Sequence, residues 1–218
     1  MNPKISAYIF DLDGTLLDTE NVWVNTTMDY LHGKECPVTK EEILPIVYGR
    51  SWTDVYADIV KMFPQLDIGL PEMQKEMAVC FYKHRTPESI KISSSIDLLK
   101  RLSKDFPCCI VSGSPREHIA EAIEIMEAED CLAFYLGASD YPFGKPHPSG
   151  FLMAAEKLNV PPNQCVVFED SNVGVTAAKA AGMKVVALAL PLHPKQDVGL
   201  ADIILPDLSM FSPDMLQS

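Results

Sequence analysis

Apolar residues recur along this chain with two different periods, and the change between them divides it. Residues 5–10, Ile-Ser-Ala-Tyr-Ile-Phe, are rich in β-branched and aromatic side chains and stop abruptly at Asp11. That is the pattern of a strand delivering its chain to a loop. From residue 20 to 33 the apolar positions Val22, Trp23, Met28, Tyr30 and Leu31 are separated by polar ones, as on one face of a helix. Residues 39–48 also read as helical, although Pro45 must start, kink or end something. Ser51-Trp52-Thr53-Asp54 predicts a capping box opening a helix to about Phe63. Pro71, at a first helical position, opens another to about Arg85. No strand signal interrupts residues 18–87, and Thr86-Pro87 reads as the boundary.

Beyond that boundary, strands and helices alternate. A helix over 93–104 precedes a strand over 107–111 that ends at Ser112-Gly113. Ser114-Pro115-Arg116-Glu117 reads as the capping box of the next helix. A short strand over 133–136 follows, then a helix over 148–158 capped by Ser149. The strand over 164–168 ends at Glu169-Asp170, and the Ala-rich helix over 172–181 is stopped by Gly182. Residues 183–190 and 203–205 are further strands. Such alternation implies a parallel sheet covered on both faces. The expected architecture is therefore α/β: a doubly wound parallel sheet formed by 1–17 and 88–218, with an all-helical domain, 18–87, inserted after its first strand.

In open sheets of this kind, ligands bind at the carboxyl ends of the strands, where the strand order reverses. Polar residues do collect there: Asp11 and Asp13 after the first strand, Ser112 after the second, Glu169 and Asp170 after the fourth. With strand order 3-2-1-4-5, the first and fourth strands are neighbours, and Asp11 and Asp170 converge. Asp11 and Asp13 are costly to keep ionised so close together unless a cation lies nearby or one holds a proton. Oxygen-only donors point to a hard cation such as Mg²⁺.

Composition narrows the choice of partner. The formal net charge of −12 argues against nucleic acid and anionic membranes. It would also repel a phosphorylated ligand at long range, so any phosphate site must be locally cationic through a metal, a lysine and backbone N–H groups. Met1-Asn2-Pro3-Lys4 lacks a signal peptide's long apolar stretch and small-residue cleavage site, so none is expected, and the longest apolar runs, such as 185–190, fall far short of a membrane span. The six cysteines show no CxxC spacing and are expected as buried thiols in a reducing cytoplasm.

The ordered motifs DLDGTLLDT (11–19), VSGSPRE (111–117), GKPHPSGF (144–151) and VVFEDSNVGVTAAKAAG (166–182) resemble the four motifs of the haloacid dehalogenase superfamily. The similarity covers nearly the whole chain and points to the branch with a Rossmann-like core and an inserted helical cap. Closest in flavour are the β-phosphoglucomutase-like enzymes and the sugar-phosphate and phosphoglycolate phosphatases. The resemblance implies that Asp11 is a nucleophile forming an aspartyl-phosphate and that Asp13 is the general acid and base. It implies that Mg²⁺ is held by Asp11, the backbone carbonyl of Asp13 and Asp170, with Glu169 acting through water or, alternatively, only steering Lys145. Ser112, the N–H of Gly113 and Lys145 would hold the phosphoryl group. Arg50, in a loop that faces the core in related enzymes, would set specificity together with Trp23. Trp23 occupies a position where the mutase carries a histidine, and this departure favours a hydrolase. The expected activity is Mg²⁺-dependent hydrolysis of a small sugar or polyol phosphate, by a monomer. The alternatives are a hexose-phosphate mutase and a catalytically silent binding protein on the same fold.

Overall fold

The computed structural model describes residues 4–47, 52–86, 90–191 and 193–216. The chain separates into two compact units, 1–17 with 91–218, and 18–90. The second seam falls beyond the expected 87/88. Ile90 still belongs to the insertion because its carbonyl accepts the N–H of Asp18 at 2.7 Å, joining the insertion's two ends.

The larger unit is built on six parallel strands: β1 (Ala7–Phe10), β2 (Cys108–Val111), β3 (Phe134–Leu136), β4 (Cys165–Glu169), β5 (Lys184–Leu188) and β6 (Ile203–Leu205). Their order is β3-β2-β1-β4-β5-β6, so the reversal lies between β1 and β4, where Ile9 pairs with Val167 and Phe10 with Phe168. β1, β2 and β4 are buried at every position, as expected of parallel strands covered on both faces. Alternation along β1 sends Ala7 and Ile9 to one face, against Phe151 and Ala154 of α7 (Ser149–Leu158) and Val175 and Ala178 of α8 (Asn172–Ala180). Tyr8 and Phe10 face the other way, where Tyr8 meets Phe106 and Phe211 edge-on and Phe10 stacks on Phe168. Among the described residues, the remaining α-helices of this unit are α5 (Ser93–Leu102) and α6 (Arg116–Met126).

The insertion comprises α1 (Thr19–Gly33), α2 (Lys40–Val47), α3 (Trp52–Met62) and α4 (Leu70–His84). Its core contains Val24, Leu31, Ile43, Ile59, Met73 and Met77, all fully buried. Asp18 caps α1 by accepting the N–H of Asn21 at 3.1 Å. Pro45 lies inside α2, a helix of eight residues. Ser51 of the expected capping box is outside the described residues.

Two helix starts differ from the reading of the sequence. Pro115 is the N-cap of α6 and no side chain caps it, so Ser114 and Glu117 form no capping box there. Ser149 is the first residue of α7 and not its cap; its hydroxyl donates to the carbonyl of Phe143 at 3.0 Å, and His147 Nδ1 accepts the Ser149 N–H at 3.2 Å. All six cysteines are free thiols, four of them buried. Among the described residues, no helix is long and apolar enough to cross a membrane.

One ion cluster locks the far edge of the sheet. Asp202, ahead of β6, accepts from Lys179 Nζ at 2.8 Å, from the Val185 N–H at 2.8 Å and from Lys184 Nζ at 3.2 Å. Burial pushes its carboxyl up, but these donors outweigh that and hold it below the ordinary range. An acid whose folded pKa is depressed contributes stability above its unfolded value, about 4, and loses it as pH falls through the folded value. Asp202→Asn is therefore expected to cost about 1 kcal/mol at pH 7, allowing for solvent screening at this half-exposed site. In thermal melts, the gap from wild type should close as pH drops below about 4.

Candidate active site

The site grows from the carboxyl ends of β1, β2 and β4. Asp11 follows the last residue of β1, and its N–H donates to the carbonyl of Phe168 on β4 at 2.9 Å. The neighbouring strand ends bring Asp11, Glu169 and Asp170 together, each offering a carboxylate oxygen within 4.8 Å of the others. Asp11 is 5% exposed and Glu169 1% exposed, so two of the three acids are nearly dry, while Asp170 is partly exposed.

Lys145 is the cation of the cluster. Its ammonium donates to Asp11 Oδ1 and, at 2.6 Å, to Glu169 Oε1. Burial works against a charged lysine here, but the attraction of Asp11 and Glu169 prevails and holds it protonated, its pKa raised. The other oxygen of Glu169 is engaged within the protein: Oε2 accepts the N–H of Asp170 at 2.9 Å, the N–H of Ser171 at 2.8 Å and the Ser171 hydroxyl at 2.9 Å. The same Ser171 oxygen accepts the Gly174 N–H and caps α8, tying the helix start to the acid.

Three carboxylates share this single lysine. Burial pushes Asp11 up to about 7; Lys145 opposes the shift, while Glu169 and Asp13 add to it. Burial, with Glu169 and Asp11 beside it, also raises Asp170 well above the carboxylate range. A buried excess of negative charge made only of oxygen donors suits a hard divalent cation such as Mg²⁺. Close backbone approach completes the cluster. Gly14 has φ +89°, and a β-carbon there would come within 2.2 Å of Asp170 Oδ2. A β-carbon on Gly174 would lie 1.6 Å from Glu169 Oε1. Both positions need glycine.

The carboxyl of Asp13 is not one of these three acids, and the residue is only half-buried. Its Oδ2 accepts from Ser112 Oγ at 3.2 Å and Ser114 Oγ at 2.7 Å. Ser112 is buried, and its carbonyl takes the hydroxyl of the buried Tyr141 at 2.7 Å. Gly113 is exposed immediately after it.

The structure thus brings together Asp11, Asp13, Ser112, Lys145, Glu169 and Asp170, with Gly113 in the Ser112 loop. Trp23 belongs to the helical insertion, half-buried, its ring stacked on Phe81 with centroids 4.0 Å apart. Arg50 lies outside the described residues. The reading of the sequence missed Ser114, Ser171, Tyr141 and Thr15, whose hydroxyl donates to Asp170 Oδ1 at 3.1 Å. Only Ser171, directly after the two acids, carried a signal, as an N-cap residue.

Comparison with known proteins agrees with this geometry. A family profile described as haloacid dehalogenase-like hydrolase matches residues 8–188. The chain is 30% identical over 206 residues to validoxylamine A 7'-phosphate phosphatase of Streptomyces hygroscopicus subsp. limoneus, covering 92% of this chain and 93% of that one. It is 29% identical over 191 residues to fructose-1-phosphate phosphatase of Escherichia coli K12, covering 87% of this chain and all of that one (100%). In fold it is similar to a structure from Thermotoga maritima ascribed to a β-phosphoglucomutase, with TM-score 0.81, 23% identity and coverage of 98% and 97% of the two chains.

Proposed function

This chain belongs to the haloacid dehalogenase-like hydrolases, and we propose that it is an Mg²⁺-dependent phosphomonoester hydrolase acting on a small sugar or polyol phosphate through an aspartyl-phosphate. Its class of activity, phosphatase, is that of its relatives. The observation that carries the finer reading is the convergence of Asp11, Glu169 and Asp170 around Lys145, at the switch point of the sheet.

Asp11 is the nucleophile. Its carboxylate attacks phosphorus, forming an acyl-phosphate bond as the ester P–O bond breaks. Anion would otherwise repel anion, and Lys145 offsets part of that repulsion while fixing the rotamer of Asp11 through its hydrogen bond. Asp11, Asp170 and the backbone carbonyl of Asp13 would hold Mg²⁺, with Glu169 facing it through water; the bound ion supplies charge neutralisation and alignment of the phosphoryl oxygens. Glu169 also holds Lys145, and its acceptance of three donors from 170–171 fixes its orientation. Ser112 Oγ and the Gly113 N–H donate to phosphoryl oxygens. Asp13 gives its proton to the leaving oxygen, then takes one from the water that cleaves the acyl-phosphate.

Arg50 is proposed to meet a second anionic or polar group of the substrate. Trp23 cannot exchange a proton as the mutase histidine does, which supports hydrolysis over phosphoryl return. The protein's net charge of −12 supports a small metabolite as ligand, with neither nucleic acid nor membrane as partner.

The test is a panel of phosphate monoesters assayed for inorganic phosphate. Release from several sugar or polyol phosphates with Mg²⁺, abolished by EDTA, is expected. Full turnover in excess EDTA contradicts the mechanism, and conversion of a hexose 1-phosphate to its 6-phosphate with little free phosphate contradicts the hydrolase reading.

A further inference from the structure

We infer that Tyr141 is a positioning residue for the phosphoryl site: its hydroxyl holds the peptide between Ser112 and Gly113 in the orientation that turns the Gly113 N–H outward. This rests on the hydrolase reading above. The Tyr141 hydroxyl donates to the Ser112 carbonyl at 2.7 Å. That carbonyl and the Gly113 N–H belong to one planar trans peptide, so they point in opposite directions. With the oxygen drawn inward to a buried phenol, the N–H faces the exposed side of the loop. The phenol itself has little freedom. A β-carbon on Gly150, in the first turn of α7, would lie 3.1 Å from Tyr141 Cε1 and 2.9 Å from Val111 Cγ1, so the ring is wedged between β2 and that helix. Upstream, Asp140 Oδ2 accepts the Gly137 N–H at 2.8 Å and Arg116 Nη1 at 2.6 Å, closing the turn that delivers Tyr141. The 112–114 loop also meets this turn through the Ser112 N–H to the Leu136 carbonyl and the Ala138 N–H to the Ser114 carbonyl, both at 3.0 Å.

A lock is needed here because the second residue of that peptide is glycine. Turning the peptide over rotates ψ of Ser112 and φ of Gly113 together, as between type I and type II turns, and carries position 113 to positive φ. Gly113 stands outside that region in the structure, but glycine enters it at little cost. A flipped peptide would aim the Ser112 carbonyl oxygen where the N–H had been, and that oxygen repels a phosphoryl anion. The Tyr141 bond opposes the flip. Ser112 is buried, so its carbonyl keeps a donor only by staying turned inward to the phenol. Without the hydroxyl the balance reverses, since the orphaned carbonyl then gains water by turning out.

Only molecules with the N–H turned outward bind phosphate well, so losing the lock weakens binding by the fraction that stays competent and leaves the bound enzyme intact. With about a tenth of the molecules competent, Tyr141→Phe should raise the inhibition constant of inorganic phosphate about tenfold. KM for a sugar phosphate and for p-nitrophenyl phosphate should rise by the same factor, because both present the same group, with kcat within about twofold of wild type. The melting temperature should fall by no more than about 4 °C, as for one buried hydrogen bond in a chain of this size. Gly113→Ala separates the flip from a general loosening of the site. Among the described residues a β-carbon there meets nothing within 4 Å, yet it penalises the flipped peptide. Between Gly113→Ala and Gly113→Ala/Tyr141→Phe, the affinity for inorganic phosphate with Mg²⁺, measured by calorimetry, should therefore differ by less than about threefold. An unchanged phosphate inhibition constant in Tyr141→Phe, a fall in kcat at constant KM, or the full tenfold loss persisting in the Gly113→Ala background would each overturn the inference while leaving the hydrolase reading in place. Absence of any Mg²⁺-dependent turnover by the wild-type protein would refute that reading, and the role of Tyr141 with it.

Discussion

Asp11→Asn is expected to lower kcat by at least about 10⁴-fold on every phosphate ester, because the amide oxygen cannot form the acyl-phosphate. Asp13→Asn should act differently. It removes proton transfer and leaves the nucleophile and the acid cluster in place, so kcat should fall by about 10²- to 10⁴-fold with substrate binding largely kept. Steady-state kinetics on a sugar phosphate and on p-nitrophenyl phosphate separate the two, since the Asp13 variant should lose less on the ester with the better leaving group. If Asp11→Asn kept a tenth of the wild-type kcat, Asp11 could not be the nucleophile.

The second large effect is expected at Lys145. Replacing it by Ala leaves Glu169 and Asp11, 1% and 5% exposed, without their cationic partner and beside Asp170. Breaking a buried pair in this way costs about 3–5 kcal/mol, and urea unfolding in EDTA at pH 7 should show it. Asp11 and Asp170 already have pKa values above those of the unfolded chain, and without Lys145 these rise further. Groups raised in this way favour the folded state at low pH and penalise it as pH rises, so the deficit should be largest at neutral pH and narrow toward about pH 5. A loss below about 1 kcal/mol at pH 7 would mean that Lys145 does not hold the cluster together. Activity should fall as well, by about 10²- to 10³-fold, as for loss of a preorganised charge on the reacting group.

These effects rest on features that differ in how plainly the sequence carries them. Strands buried on both faces, such as β1 and β4, announce themselves as unbroken apolar runs, and acids placed directly after them mark the ligand-binding edge. Asp11, Ser112 and Asp170 were legible for that reason. Ser114 was not, because Ser-Pro-Arg-Glu satisfies the local rule for a helix start. Its partner Asp13 is 101 residues away along the chain, a relation that no local pattern contains. Gly174 hides in the same way inside an Ala-rich helix; only the approach of Glu169 explains it. The seam at Ile90 was misplaced by three residues because Pro87 is the stronger local breaker, whereas the bond from Asp18 to Ile90 is tertiary. The free thiols and the helical insertion followed from composition and from period alone.

The central claim, hydrolysis through a phosphorylated Asp11, is met most directly by acid-quenching the wild-type enzyme during turnover of a sugar phosphate with Mg²⁺ and mapping its peptides by mass spectrometry. The account predicts one phosphoryl group on the peptide that contains Asp11, removed by hydroxylamine and absent from Asp11→Asn. Steady release of phosphate with no phosphoryl group on that peptide, or with one on Ser112 or another residue, would contradict it.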